Sequence, residues 1–249
     1  SVEKLGGKSE VGAGVFVISS KEKAGKSWNK RELEIIKPYY TTREINRYYA
    51  NPQNQFWVLY TGAQINRSIT DYPNIKKHLD QFKNIITSVN KPYGLHRTRE
   101  ERIFMGEKIL SVRKCSQPSF AYVDFPCYVA RTFLIIKSNR VNLKFLLGIL
   151  NSKLVNWYYA KLFKEKELFP RVLLENLKIL PMIDPTAPQA KQDAAKIAKL
   201  ATELAELNKV PSENAAATIF KLEKELDALV FDLYGLTADE RRIVEDAVK

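Results

Sequence analysis

The sequence has 249 residues, of which 45% are hydrophobic and 11% aromatic, so we expect one large folded domain or two modest ones and exclude a disordered chain. No apolar run approaches the roughly 18 residues of a membrane span, and the first residues carry no secretory signal. We therefore predict a soluble, cytoplasmic protein with no membrane partner. Because the sequence opens without Met, we also expect it to be a piece of a longer protein.

The positive charge is concentrated in the first three quarters of the chain. Residues 1–181 contain 31 Lys and Arg against 15 Asp and Glu, a balance of +16, whereas residues 182–249 contain 9 against 13, a balance of −4. A basic body of this kind binds polyanions, because each phosphate that it neutralises releases condensed counterions. Charge alone leaves open the alternative of a basic surface that serves only solubility.

The first part of the chain alternates predicted strands and helices. Apolar residues recur at helical spacing from Ile75 to Ile86, and again from a capping Asn142 to Leu162. Four short segments that are rich in β-branched and aromatic residues predict strands, namely Val15–Ile18, Gln55–Tyr60, Lys108–Val112 and Thr132–Ile136.

Three prolines between Leu180 and Pro188 mark a boundary, because proline interrupts regular structure. Beyond them, periodic apolar residues predict two helices, over about 192–208 and 219–233. We predict an α+β fold in which a mixed-sheet domain with packed helices spans residues 1–181. A C-terminal antiparallel helical hairpin follows in a spacer or docking segment, residues 182–249. A hairpin that only caps the core is the alternative for this segment.

Sequence motifs for catalysis are incomplete. Gly-Lys-Ser occurs at residues 7–9 and 25–27 without the first glycine of a phosphate-binding loop, and Val17 stands where a dinucleotide fingerprint needs its third glycine. Many restriction nucleases carry an Asp or Glu two positions before a Lys. No Asp or Glu of this sequence stands two positions before a Lys. The turn at residues 51–54 lacks the second proline and the aromatic residue of the adenine methyltransferase motif Asn-Pro-Pro-Tyr/Phe. We predict no catalytic or cofactor-binding residues.

The two cysteines, Cys115 and Cys127, and the two histidines lack the paired spacing of a structural zinc site. We therefore predict no metal site, and expect two reduced, mostly buried thiols.

Basic and aromatic residues cluster in three segments that we expect to be loops, residues 21–31, 93–102 and 113–117. Lys and Arg side chains hold phosphates, and Arg also pairs with base edges in the major groove. The alternative for any single residue is a solvated surface charge. We expect four side chains near bases or phosphates, Arg97, Arg99, Arg113 and Lys114. We expect five nearer the DNA backbone, Lys21, Lys23, Lys26, Arg43 and Arg47.

A set of segments in chain order carries a resemblance to a known family: Gly12–Ile18, Ile36–Tyr48, Trp57–Thr61, Tyr72–Ile75, Leu95–Glu100, Glu107–Ile109, Leu146–Leu154, Phe169–Arg171, Leu177–Pro181 and Leu233–Thr237. The chain resembles the TaqI-like C-terminal specificity domain of adenine-N6 DNA methyltransferases and type IIG restriction-modification enzymes. It departs from the family at residues 42–45, where Thr-Arg-Glu-Ile replaces the common Gly-Arg-Asp-Ile.

The resemblance implies that residues 1–181 are a DNA target-recognition domain, a non-catalytic module that reads double-stranded DNA from the major groove. It implies a methyltransferase catalytic domain in the same polypeptide, which would bind S-adenosylmethionine, so that no cofactor is expected in this chain. Two alternatives remain open. One is a DNA specificity subunit, or half of one, in a multisubunit type I-like restriction-modification system. The other is a self-contained nuclease or other hydrolase.

Overall fold

A computed structural model describes residues 14–113, 115, 117–162, 172–210 and 212–247. The strands in this part of the chain are β1 (Val17–Ser19), β2 (Ile36–Tyr40), β3 (Tyr48–Tyr49), β4 (Phe56–Leu59), β5 (Lys108–Val112), β6 (Phe120–Val123), β7 (Tyr128–Val129) and β8 (Phe133–Ile136). The helices are α1 (Ser20–Ala24), α2 (Lys30–Ile35), α3 (Ile65–Ser68), α4 (Pro73–Asp80), α5 (Leu143–Asn151), α6 (Lys153–Leu162), α7 (Leu174–Lys178), α8 (Lys191–Leu207), α9 (Glu213–Leu233) and α10 (Ala238–Ala247). The predicted α+β class is confirmed.

The described residues form two compact units, each built from separate stretches of sequence. The first unit comprises the residues up to Tyr40, Gln53–Phe104 and Pro126–Tyr128. The second comprises Thr41–Pro52, Met105–Phe125 and the residues from Val129 onward. The functional division at residues 181 and 182 stays a prediction. The helices α8 and α9, which follow residue 181, pack into the apolar core of the second unit.

The first unit is built on a sheet of strand order β1-β4-β2-β7. Strand β4 pairs antiparallel with both β1 and β2, so that Trp57 lies opposite Ile18 on one side and Pro38 on the other. The predicted apolar stripe from Ile75 to Ile86 is buried in this unit. The regular helix, however, ends at Asp80. Beyond it most of the backbone hydrogen bonds are of the i to i+3 type, which replace the α-helix by tighter turns while the apolar stripe continues.

The second unit is built on a mixed sheet of order β3-β6-β5-β8, in which β3 is parallel to β6 and the other pairs are antiparallel. Helices α5, α8 and α9 supply much of its buried apolar core. Gly148 allows α5 and α8 to lie close together, because a Cβ atom at this position would stand 2.6 Å from Ile197 Cγ2. The predicted C-terminal hairpin is present as α8 and α9, which pack against each other.

The helix predicted from Asn142 to Leu162 is interrupted, which corrects the sequence-based boundary. Asn142 caps α5 as predicted, but Ser152 adopts an extended backbone with ψ of 156°. The interruption is stabilised from α9, where Asp227 Oδ1 accepts a hydrogen bond of 2.8 Å from the backbone N–H of Lys153. The first turn of α6 is therefore capped by a carboxylate from another helix.

No helix within the described ranges combines the length and the apolar character that crossing a membrane requires.

Candidate nucleic-acid interface

The first basic segment is mostly helical, which corrects the expectation of a loop. Ser19 and Glu22 form a reciprocal capping box at the start of α1, and Asn29 and Glu32 form another at the start of α2. Each box satisfies two backbone N–H groups that a short helix would otherwise leave unpaired. The chain therefore folds into two short helices, with Lys26 in the connection between them.

The three basic residues predicted in this segment have different surroundings. Lys21 is exposed on α1. Lys23 Nζ lies 3.1 Å from the centroid of the Trp57 ring, a cation–π contact that holds α1 against β4. Lys26 Nζ lies 2.5 Å from Nδ1 of the buried His78. Partial burial lowers the pKa of both Lys23 and Lys26 from the usual lysine value.

The segment that carries Arg97 and Arg99 is a loop, as predicted, and its backbone is anchored at the end of β4. The Tyr60 hydroxyl donates a hydrogen bond of 2.7 Å to Arg99 O and accepts one of 2.8 Å from Arg99 N. Leu95 N donates to Thr61 O at 2.9 Å. Arg97 is exposed between these two anchors. Loops held in this way on a rigid scaffold are suited to binding. The entropy cost of ordering such a loop is met when the chain folds and does not reduce the affinity for a ligand.

Arg43 and Arg47 of the second unit differ in their partners. Arg43 is exposed on a turn that Glu44 closes by accepting hydrogen bonds from the backbone N–H and hydroxyl of Thr41. The Arg47 guanidinium donates to Glu223 Oε1 at 2.5 Å and to Asn151 O at 2.7 Å. Arg47 therefore has a structural role within this unit, and its contact with DNA stays a prediction.

Arg113 is exposed directly after β5, and its backbone is fixed on both sides. Its N–H donates to Thr132 O at 2.8 Å, and its carbonyl accepts from Val172 N at 2.7 Å. The side chain is thus presented from a rigid position at the end of a central strand. Lys114, the neighbouring predicted contact, lies outside the described residues.

A polar cavity in the first unit was missed by the sequence reasoning. It has a volume of about 380 Å³ and is lined in part by Lys26, Lys77, His78 and Gln81. Lys77 and His78 lie on α4 and Gln81 directly follows it, so that Lys77 and Gln81, four residues apart, lie on the same side of the helix end. The spacing of Lys77 and Gln81 was a usable signal, but the partner segment at residues 25–27 could be placed only by the fold.

Neither cysteine is in a disulfide: Cys127 is buried and Cys115 is half-buried, with its thiol pKa raised by burial. Within the described ranges, no group of three or more His, Cys, Asp or Glu side chains is arranged to hold a metal ion.

The fold is similar to that of part of a restriction-modification enzyme of known structure. The structure of the type IIL restriction-modification enzyme MmeI in complex with DNA is similar, with a TM-score of 0.66 and 15% sequence identity, over 97% of this chain and 34% of that chain. This chain therefore spans about a third of the length of MmeI. The type IIG restriction endonuclease BpuSI gives a TM-score of 0.46 at 14% identity, over 90% of this chain and 29% of that one. A search of curated proteins finds no match.

The sequence itself assigns the family. The sequence profile of the TaqI-like C-terminal specificity domain matches residues 37–182, which is more than half of the chain. The chain belongs to this family, and the resemblance found from its ordered segments is confirmed.

Proposed function

We propose that this chain is a sequence-specific recognition module for double-stranded DNA, belonging to a type IIG restriction-modification enzyme or an adenine-specific DNA methyltransferase. The observation that carries the proposal is the family match over residues 37–182. Methyl transfer, with or without cleavage, would be performed by a catalytic domain of the same cytoplasmic polypeptide with S-adenosylmethionine. The chain itself would hold the target and contribute no catalytic residue.

The charges and loops of the chain support this proposal. The excess of 31 basic over 15 acidic residues before residue 182 supplies affinity for phosphates independently of sequence. Arg97 and Arg113 are exposed next to fixed backbone, and arginine can pair in bidentate fashion with guanine in the major groove. We propose base or phosphate contacts for Arg97, Arg99, Arg113 and Lys114, and backbone contacts for Lys21, Lys23, Lys26, Arg43 and Arg47.

Selection from a randomised duplex library tests the proposal. The immobilised chain should retain duplexes at low salt, and repeated rounds should enrich a short common word, which unselected DNA lacks. Retention of duplexes without enrichment of any word would show that the chain binds DNA without sequence specificity. Cleavage of the library by the chain alone with Mg²⁺ would instead establish a self-contained nuclease.

A further inference from the structure

The polar cavity of the first unit lies between the connection of α1 to α2 and one face of α4. Its volume is about 380 Å³, and its lining includes Gly25, Lys26 and Ser27 from the connection, Lys77 and His78 from α4, and Gln81 directly after α4. A water molecule occupies about 30 Å³ in the liquid. The cavity therefore has room for a phosphodiester group together with bridging waters.

The hydrogen bonds of His78 define how Lys26 is held at the cavity. His78 Nε2 lies 2.9 Å from the carbonyl oxygen of Val15, which can only accept, so that Nε2 carries the proton. Nδ1 then has a free lone pair, which accepts from the Lys26 ammonium at 2.5 Å. The neutral imidazole thus orients Lys26 without neutralising its charge. Burial and the charge of Lys26 both lower the pKa of His78, which favours this neutral form.

None of the described residues that line the cavity is an Asp or Glu that could pair with the two lysines. Among the residues that the structure describes, no carboxylate oxygen lies within 4.0 Å of the ammonium of Lys26 or Lys77. Glu22 attracts Lys26 from a greater distance, but its carboxylate already accepts hydrogen bonds from Ser19 and Gly14. Among the described residues, the lining of the cavity therefore carries two lysines, the Ser27 hydroxyl and the Gln81 amide, whose nitrogen donates to Lys77 O at 3.3 Å, and it includes no Asp or Glu.

We propose that this cavity binds one backbone phosphate of the DNA duplex, with Lys26 and Lys77 as its cationic ligands. Lysine, serine and glutamine side chains are all among the groups that hold backbone phosphates in protein–DNA complexes. The inference rests on the proposed function, which it deepens by naming a contact that holds the DNA backbone. The cavity includes Gly25, Lys26 and Ser27, which precede the matched range of residues 37–182.

The two histidines of the chain make the site measurable, because imidazole Cε1–H signals would report on His78 in the cavity and His96 in the exposed loop. Random duplex DNA is titrated into the full chain labelled with ¹³C at histidine. Binding in the cavity is expected to shift the His78 signal. In parallel, the dissociation constant is measured against salt for the wild type, Lys77→Gln and the double variant Lys26→Gln/Lys77→Gln. The double control Lys191→Gln/Lys199→Gln removes two exposed charges of α8.

The loss of one phosphate contact should reduce the slope of log K against log salt by about 0.9 in the double variant and by less in Lys77→Gln. The control should keep the wild-type slope. A wild-type chain that binds DNA with an unmoved His78 signal, or a folded double variant with the wild-type slope, would overturn the inference and leave the proposed function intact. A His78 shift with inorganic phosphate but not with duplex would also overturn it. Absence of any DNA binding by the wild type would count against the proposed function itself.

Discussion

Glu32, on α2, caps the start of α4 by binding Asn74. Its Oε1 atom accepts hydrogen bonds from the backbone N–H of Asn74 at 2.6 Å and of Ile75 at 3.0 Å, and its Oε2 atom accepts from the Asn74 amide at 2.8 Å. Oε2 also accepts from the N–H of Asn29 at 2.8 Å, which completes the capping box of α2. A single buried carboxylate therefore satisfies donors at the beginnings of two helices and fixes α4, which lines the polar cavity.

Replacing this carboxylate by an amide is expected to destabilise the first unit. In Glu32→Gln, the new NH₂ group would face N–H donors in a site that is fully buried, so that at least one donor loses its acceptor. The expected loss in free energy of unfolding is about 2–4 kcal/mol. Urea denaturation measures it, with Glu34→Gln on the exposed side of α2 as the control. Equal stability of the two variants would show that Glu32 is not needed as a cap.

The loop arginines should affect DNA binding without affecting stability. Arg97→Ala is expected to weaken specific binding by about 1–3 kcal/mol and relax one base position if the guanidinium contacts a base edge. A phosphate contact would instead reduce the salt slope and leave the preference unchanged. Arg99→Ala is expected to behave in the same way. Binding to the selected word and to its single-base variants distinguishes the two cases. Arg242→Ala, an exposed residue of α10, serves as the control, and an effect no larger than this control would exclude both contacts.

Arg47 should contribute to stability in a way that Arg43 does not. Tyr48, next to Arg47, has a φ of 67°, which is unfavourable for a bulky residue, and its buried ring lies 4.9 Å from the Arg47 guanidinium. Arg47→Ala removes this contact together with those to Glu223 and Asn151, and is expected to cost about 1–2 kcal/mol after allowance for solvent screening. Arg43→Ala should have the same midpoint urea concentration of unfolding as the wild type. The prediction fails if both variants match the wild type.

Asp227 predicts an unusual dependence of stability on pH. Burial raises the pKa of this carboxyl to about 6, although the backbone hydrogen bond from Lys153 and the charge of Lys153 oppose the shift. The folded state therefore binds the proton of Asp227 more tightly than the unfolded chain does. As the pH rises from about 4 to 6, the free energy of unfolding decreases, because the buried carboxyl loses its proton. Above about pH 6 the free energy of unfolding stays lowered by the full cost of the buried carboxylate.

Asp227→Asn should therefore stabilise the chain at pH 8 by about 1–3 kcal/mol, and by little at pH 4. The amide oxygen can still accept from the Lys153 N–H, so the cap of α6 is retained. Urea denaturation at both pH values measures the difference, with Glu225→Gln, exposed on α9, as the control. A variant less stable than the wild type at pH 8 would show that the ionised carboxylate stabilises the capped helix.

The regular elements of the fold were predictable where their apolar pattern was long or strongly periodic. The strands β1, β4, β5 and β8 and the helices α8 and α9 each coincide with such a pattern. Strand β2 was missed because Pro38 lies within it, and proline usually argues against a strand. Helix α10 was missed because its capping pair, Thr237 and Glu240, precedes a mostly charged sequence with little apolar periodicity.

The candidate site was predictable in its residue types but not in its geometry. Exposed Arg97 and Arg113 follow from local composition, whereas the engagement of Arg47 depends on Glu223, which lies 176 residues away. The cavity around Lys26 likewise depends on His78, 52 residues further along the chain. Contacts over such distances arise from tertiary packing, which a single sequence does not display.

Fluorescence anisotropy of a labelled random duplex, titrated with the folded chain at several salt concentrations, tests most directly whether this module binds DNA. We predict a dissociation constant on the order of 10⁻⁴–10⁻⁶ M at low salt, with binding that weakens steeply as the salt concentration increases. If a well-folded chain leaves the anisotropy unchanged at low salt, or binds with no dependence on salt, it is not a DNA-binding module of the proposed kind.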